Sequence, residues 1–582
     1  MNDKDTVRRV LVTTSIESTI PENSPVLFLG EWCREINNNE NQSNCRMLED
    51  VFEQVKQDNV GYLDELSNRV LISLTSKLNE KQNVSHSVLF WKRVLGKWLD
   101  DFIHSQHLHW NLIKHIESSC LIEKTYIIQN SERYLQCKNN MMNEDVNLWL
   151  HASFAHIIIN YTNIPYEYVN HKVSKKRKKA SLSTKNKFLI LLSKIFYKLK
   201  LINNKGVLFL NTSMSFFDQL KTEILCKQIP TSWLHNAYQF IEIDDNPHNK
   251  DMRNWSLSFS SSSDFERFLE EVIVYRLPRD VIENFEDIGY ASRNLSFPAY
   301  PKNIFLGDWP KSRSILLRAI SEKLEESPST LLTLIQHGGN YGMDKYHSEN
   351  FSLSISHRFL SWGWGEEINK VIPMFYHKKY YKPLKRNSKK RLTLISLDIK
   401  QMPIKYSSFS PSQYKKFLLK DLDQFFRNID RPILNNSWLR GFKNHSGIYE
   451  YYSTIYPRLQ IDRSFGIKGS VKSLIDSSKL FVVTYNTTLL QEIMLSNSPV
   501  VIFWSSELIP IEEEFKYCFE QMKHVGLFHD CPKSAALHIN SIWDDIDSWW
   551  NSQDTISARK LFCKKFAKSP ANYRKLAETL LK

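Results

Sequence analysis

SVKSLIDSSKLFVVTYNTTLLQEIMLSNSPVVIFW, residues 470–504, reads as helix, buried strand, turn, helix, buried strand. Leu480–Thr484 and Val500–Trp504 are short, nearly continuous apolar runs, the pattern of parallel strands covered on both faces. Tyr485-Asn486-Thr487 forms the turn between the first strand and the helix Thr487–Ser496, with Asn486 or Thr487 placed as N-cap. Free N–H groups and the helix dipole favour anions at such a terminus, and the hydroxyls of Thr487 and Thr488 add donors. Glu492 lies four residues after Thr488, on the same helix face, where a carboxylate can accept two ribose hydroxyls. Loop, hydroxyls and acid coincide at the carboxyl end of a strand, where open α/β sheets bind ligands.

A second constellation lies at LLTLIQHGGNYGMDKYHSENFSLSISHRFLSWGW, residues 331–364. A buried strand runs into Gln336-His337-Gly338-Gly339-Asn340-Tyr341-Gly342, whose glycines allow a backbone to approach an anion. His337 stands at the strand end, placed to contact phosphate or protonate a leaving group, and Lys345 adds a cation. The spacing fits neither a dinucleotide fingerprint nor a P-loop. His337, His347 and His357 are too widely spaced to carry a metal-ligand signature.

Strand-like runs also occur at Val10–Thr14, Val26–Gly30, Val207–Asn211, Phe240–Ile243, Asn303–Gly307, Leu392–Leu397, Gly447–Ile455 and Gly526–His529, with helical segments between them. This alternation predicts an α/β protein with two doubly wound, Rossmann-type domains. The first, residues 1–326, carries a helical insertion at about 46–165, and the second spans residues 327–545. The polar break Glu325-Glu326-Ser327-Pro328-Ser329 is the expected hinge, and residues 546–582 are expected to form a helix returning to the first domain.

At 582 residues and 42% apolar, the chain exceeds one core. Its eight cysteines include no C-x-x-C pair, so neither a disulfide framework nor a zinc ribbon is indicated. No run reaches the length of a spanning helix and the N-terminus does not read as a signal peptide, so a cytoplasmic protein is expected. His104, His107 and His109 read as a surface cluster, and no G-x-S-x-G elbow supports hydrolase chemistry. The net charge is +14, and Lys172–Lys205 holds twelve Lys or Arg and no acid. Within it Phe188, Leu189, Leu191, Leu192, Ile195, Phe196 and Leu199 recur at helical spacing. That is a basic amphipathic segment suited to the inner membrane surface, with residues 172–200 as the contact. No nucleic-acid module accompanies the charge, so nucleic acid is not an expected partner.

LVTTSIEST (11–19), PVLFLGEWC (25–33), LIQHGGNYGMDKY (334–346), FLSWGW (359–364), YPR (456–458), TYNTTLLQEIMLSNSPVVIFW (484–504), VGLFHD (525–530) and INSIWDDIDSWW (539–550) together resemble the O-antigen biosynthesis transferases of leptospiral surface-polysaccharide clusters. The resemblance runs nearly end to end. At a distance it is similar to GT-B transferases that use CMP-activated Kdo or sialic-acid-like sugars, and it departs at Gly307-Asp308-Trp309-Pro310.

The resemblance implies a GT-B-like fold, two Rossmann-type domains facing a central cleft. The donor would be a nucleotide sugar, and the acceptor a glycan or lipid-linked glycan of O-antigen, capsule or lipopolysaccharide. His337-Gly338 and Thr487-Thr488 would hold the phosphate and Glu492 the ribose, with Gln336, Gly339, Tyr485 and Asn486 lining the cleft. Arg458 would neutralise phosphate charge. His337, Lys345 and the helix dipole would do the work of a divalent metal, so neither metal nor cofactor is expected. The first domain would supply a base or nucleophile from Glu31, Glu17 or Asp308, each following an expected strand. A sugar-nucleotide epimerase and a non-catalytic assembly protein are the alternative readings.

Overall fold

The computed structural model of the chain describes residues 7–33, 45–47, 60–135, 145–171, 182–244, 246–310, 313–344, 349–381, 391–397, 411–441, 448–464, 466–467, 469–505 and 509–582. Its described strands form three sheets. β1 (Arg9–Val12), β2 (Val26–Phe28), β3 (Cys45–Met47), β4 (Ile122–Ile128) and β5 (Tyr166–Val169) form a five-stranded sheet in the order β3-β2-β1-β4-β5. β6 (Val207–Leu210), β7 (Asn303–Leu306), β8 (Leu331–Ile335), β9 (Arg358–Ser361) and β10 (Val371–Pro373) form a second, in the sequential order β10-β9-β8-β7-β6. β11 (Arg391–Ser396), β12 (Ser437–Gly441), β13 (Gln460–Ile461), β14 (Ser478–Val483), β15 (Val500–Phe503) and β16 (Phe528–His529) form the third, ordered β13-β12-β11-β14-β15-β16.

Every pairing among them is parallel. The third sheet has the Rossmann order, with its reversal between β11 and β14. The architecture is therefore α/β, parallel and GT-B-like, with one sheet more than the two expected. A single apolar cluster runs from Leu208, Ile304 and Leu334 of the second sheet to Phe481, Val483 and Ile502 of the third. The second and third sheets, with their helices, share this one core.

The boundary expected at 326/327 falls inside the second sheet, because β7 and β8 pair directly across it. The Glu325–Ser329 break, expected as the hinge, is the end of the helix Ser314–Glu326 and a short turn. It is held against the first unit: the Glu325 carboxylate accepts the Ser87 backbone N–H at 2.6 Å and lies 2.5 Å from His86 Nδ1. The expected helical insertion does contain the helices Val60–Gln82, Lys97–Ser119 and Val146–Tyr161, but also β4, which pairs with β1. The IEKTYII of β4 is partly exposed at its start and buried at Thr125, Ile127 and Ile128, and in the sequence it is masked by the long helices on either side.

Phe240–Ile243 is not a strand; a 3-10 turn occupies Asn236–Phe240. The run Gly447–Ile455 likewise has strand composition, yet Ile448–Ile455 is a helix. Its aromatic residues mimic strand composition, but the buried Tyr449 and Tyr452 lie three residues apart, on one helical face. His104, His107 and His109 are all buried, not superficial, and burial pushes His107 down to about 4. The last helix, Tyr573–Leu581, packs Leu576, Ala577 and Leu580 against Val207, Phe209 and Phe305 of the second sheet. No described helix is long and apolar enough to cross a membrane.

Candidate functional site

The carboxyl ends of β7, β8 and β10 converge with the turn after β14. β7 leads into Gly307-Asp308 and β8 into Gln336-His337-Gly338-Gly339. Because β7 and β8 are adjacent and parallel, Asp308 and His337 emerge at the same sheet end; Asp308 Oδ1 lies 3.6 Å from His337 Nδ1. Both side chains are about one-third exposed, as groups facing a cleft should be. Tyr341 Oη stands 3.1 Å from the same His337 nitrogen and braces the ring from behind. Burial, with the charges of Asp308 and Glu349, pushes the Tyr341 phenol far above its usual range, so it stays a neutral hydrogen-bonding group.

The glycine turn has a packing cause. A Cβ on Gly339 would sit 2.6 Å from the carbonyl carbon of Thr487 and the nitrogen of Thr488. Only glycine lets the turn after β8 lie flat on the first turn of the helix Thr488–Leu495. Gln491 of that helix donates from Nε2 to the Gly339 carbonyl at 3.0 Å and locks the contact. Thr487 is the N-cap, accepting from Leu489 N at 3.3 Å. Among the described residues, no hydrogen-bond partner meets the buried Asn486 Nδ2 there. The two constellations are thus brought into direct contact.

Two charged groups face this junction from opposite sheets. Lys378, five residues past the end of β10, donates from Nζ to the His337 carbonyl at 2.6 Å. Burial draws its ammonium below the usual lysine range, and the Glu492 and Asp308 carboxylates act against that shift. Glu492 Oε1 accepts from the Tyr376 phenol at 3.2 Å. Burial raises the Glu492 carboxyl above its usual range; the Tyr376 bond and the Lys378 charge oppose the rise. The charges of Asp308 and Glu492 both act on the Lys378 ammonium, which itself holds the His337 carbonyl.

Several expected residues have other roles or places. Gln336 is fully buried and structural: Nε2 donates to Gly338 O at 2.7 Å, while Oε1 accepts from Trp362 N at 2.9 Å and Trp364 Nε1 at 2.7 Å. Gly338 packs against the Tyr341 ring. Arg458 is exposed in the turn before β13, at the amino end of the parallel strands and opposite the end that carries Thr487. The buried guanidinium toward Tyr485 is Arg440 of β12, engaged by Asp462 at 3.2 Å, Ser464 at 3.1 Å and Ser470 at 3.2 Å.

Glu17 is exposed on a 3-10 turn after β1, in the first sheet. Glu31 starts the corresponding turn after β2, with its side chain outside the described residues. Of the three expected carboxylates, Asp308 is brought to His337. Lys345 also lies outside the described residues. Lys378 was not anticipated; the apolar run Val371–Phe375 ending in Tyr-His-Lys was the available signal for a strand delivering polar groups. Among the described residues no group of three or more His, Cys, Asp or Glu is arranged to hold a metal ion.

Similar folds include a spinosyn rhamnosyltransferase, SpnG, complexed with spinosyn aglycone (11% identity, TM-score 0.31, covering 65% of this chain and 100% of that one). MurG of Acinetobacter baumannii shows 9% identity and a TM-score of 0.33, covering 65% of this chain and 99% of its own. Anabaena HepE in complex with UDP and glucose shows 12% identity and a TM-score of 0.29, covering 55% and 88%. No curated relative matches the chain. The family described as LIC12162 family transferase matches residues 9–581, nearly the whole chain, and the protein belongs to that family of transferases.

Proposed function

We propose that the protein is a glycosyltransferase moving a sugar from a nucleotide-sugar donor to a growing O-antigen, capsule or other surface glycan carried on lipid at the inner membrane face. The observation that carries this reading is the contact of the Gly338-Gly339 turn with the Thr487-Thr488 backbone, with Lys378 bonded to the His337 carbonyl and Glu492 on the helix that begins there. A transferring sugar phosphate needs a cation, directed N–H donors and a proton-handling group close together, roles that Lys378, the start of the helix Thr488–Leu495 and the Asp308–His337 pair would fill.

The donor phosphates would lie between Lys378 and the first turn of the helix Thr488–Leu495, with no divalent metal required. Glu492 would take a ribose hydroxyl on the oxygen not held by Tyr376. Asp308 or His337 would handle the acceptor proton. The resemblance to transferases of Kdo- and sialic-acid-like sugars favours CMP as the activating nucleotide.

The test is a thermal-shift panel with CMP, CDP, UDP, GDP and dTDP on wild type and Glu492→Ala. Ligand at 100 times its dissociation constant should add about 2.7 kcal/mol. A shift with one nucleotide in wild type, lost in the variant, supports the site; CMP would support the Kdo- or sialic-type donor. No shift with any nucleotide overturns the reading in favour of a non-catalytic assembly protein. Conversion of a UDP-sugar without acceptor would identify an epimerase instead.

A further inference from the structure

The helix Thr184–Lys198 is apolar on two sides, and only one of them is used inside the protein. Ser183 caps it, accepting from Asn186 N at 3.3 Å. Its inner side buries Ser193 and turns Phe196 edge-on to Trp233, at 6.4 Å between ring centroids. Phe188, Leu191, Ile195 and Leu199, spaced three, four and four residues apart, run along another side. They are 57%, 55%, 41% and 63% exposed. Large apolar groups held in a row in water gain nothing for folding, since burial is worth about 25 cal/mol per Å² only where water is removed.

Charge identifies what covers the row. Lys187, Lys194 and Lys198 follow one another at spacings that set them along its flank, and Lys185, Lys200 and Lys205 lie near its ends. All six are exposed, and no acid occurs from Leu182 to Lys205. A second copy of the same face would bring lysines against lysines. An anionic lipid surface accepts both features at once, apolar side chains entering the headgroup boundary and ammonium groups meeting phosphates.

We propose that the outer side of the helix Thr184–Lys198, with the turn through Lys205, docks the protein on an anionic lipid bilayer. This deepens the proposed function by naming the surface on which a lipid-borne acceptor would be met. It rests on that reading for the acceptor alone, not for the docking.

The test is flotation of the full chain with phosphatidylcholine vesicles, with and without about 30% phosphatidylglycerol. Wild type should float only with the anionic vesicles, and less so at high salt. Leu191→Ser with Leu199→Ser should weaken binding about tenfold or more, and Lys187→Glu with Lys194→Glu and Lys198→Glu about a hundredfold. Wild type that fails to float, or variants that float as well as wild type, would overturn docking. So would a wild-type dimer, without flotation, that the serine variant dissolves. The nucleotide thermal shift should be unchanged in both variants. Flotation with no nucleotide shift in any form sinks the transferase reading alone, and a nucleotide shift with no flotation sinks the docking alone.

Discussion

The ammonium of Lys378 donates to the carbonyl of His337 at 2.6 Å, tying the segment after β10 to the turn after β8. The charges of Asp308, which follows β7, and of Glu492, on the helix after β14, both act on the same ammonium. Lys378→Met should weaken nucleotide binding about tenfold or more, the usual worth of a charge-assisted hydrogen bond. Burial draws its pKa down, so the ammonium is lost at a lower pH than in an ordinary lysine. Nucleotide affinity, measured by calorimetry against pH, should therefore fall below the ordinary lysine range in wild type and stay flat across it in the variant.

Gly339 sets how closely the two sheets approach. Gly339→Ala places a methyl 2.6 Å from the Thr487–Thr488 backbone, which has no flexible end to yield. A loss of about 1–3 kcal/mol in urea unfolding is expected, together with a weakened nucleotide shift. Gly61 in the helix Val60–Gln82 has nothing within 4 Å of an added Cβ. Gly61→Ala should instead stabilise by about 0.5–1 kcal/mol.

The contact of these two turns was legible because each is short-range grammar, a buried strand followed by glycine or by a helix cap. Thr487 is the cap, and His337 stands at its strand end as read. The signal for Lys378 is faint: β10 is three residues long and ends in Pro373, too little for a period-two pattern, which leaves only the apolar run before it. Arg458 was misplaced because β12 and β13 were missed, and without them the amino and carboxyl ends of that edge could not be told apart. The separate first sheet was hidden for a similar reason, since β3 has three residues and β4 sits between long helices.

Glu492 makes stability depend on pH in a definite sense. Its folded carboxyl lies above the ordinary range, chiefly through burial, so between the unfolded and folded values the native state binds the proton more tightly. The unfolded chain then carries fewer protons, and this contribution to stability falls as pH rises from about 4.5 and levels off above the folded value. Glu492→Gln keeps an acceptor for Tyr376 and removes the titration. Its melting temperature relative to wild type should rise with pH across that window, while its nucleotide shift is reduced. A constant offset at every pH would show that Glu492 keeps an ordinary carboxyl.

Asp308 and His337 offer a test of chemistry apart from binding. The carboxylate lies 3.6 Å from the ring nitrogen, both groups are about one-third exposed, and neither holds the Gly339–Thr487 contact. Asp308→Asn preserves shape and removes the charge that orients and stabilises a protonated imidazole. It should leave the nucleotide thermal shift within experimental scatter. Turnover, measured as transfer or as slow donor hydrolysis, should fall by about 10²–10⁴-fold, the range for losing a proton-handling group. Glu17→Gln, in the first sheet, should leave turnover unchanged. If Glu17→Gln abolished turnover while Asp308→Asn did not, the catalytic carboxylate would belong to the first sheet, and that sheet would have to close over His337 during the reaction.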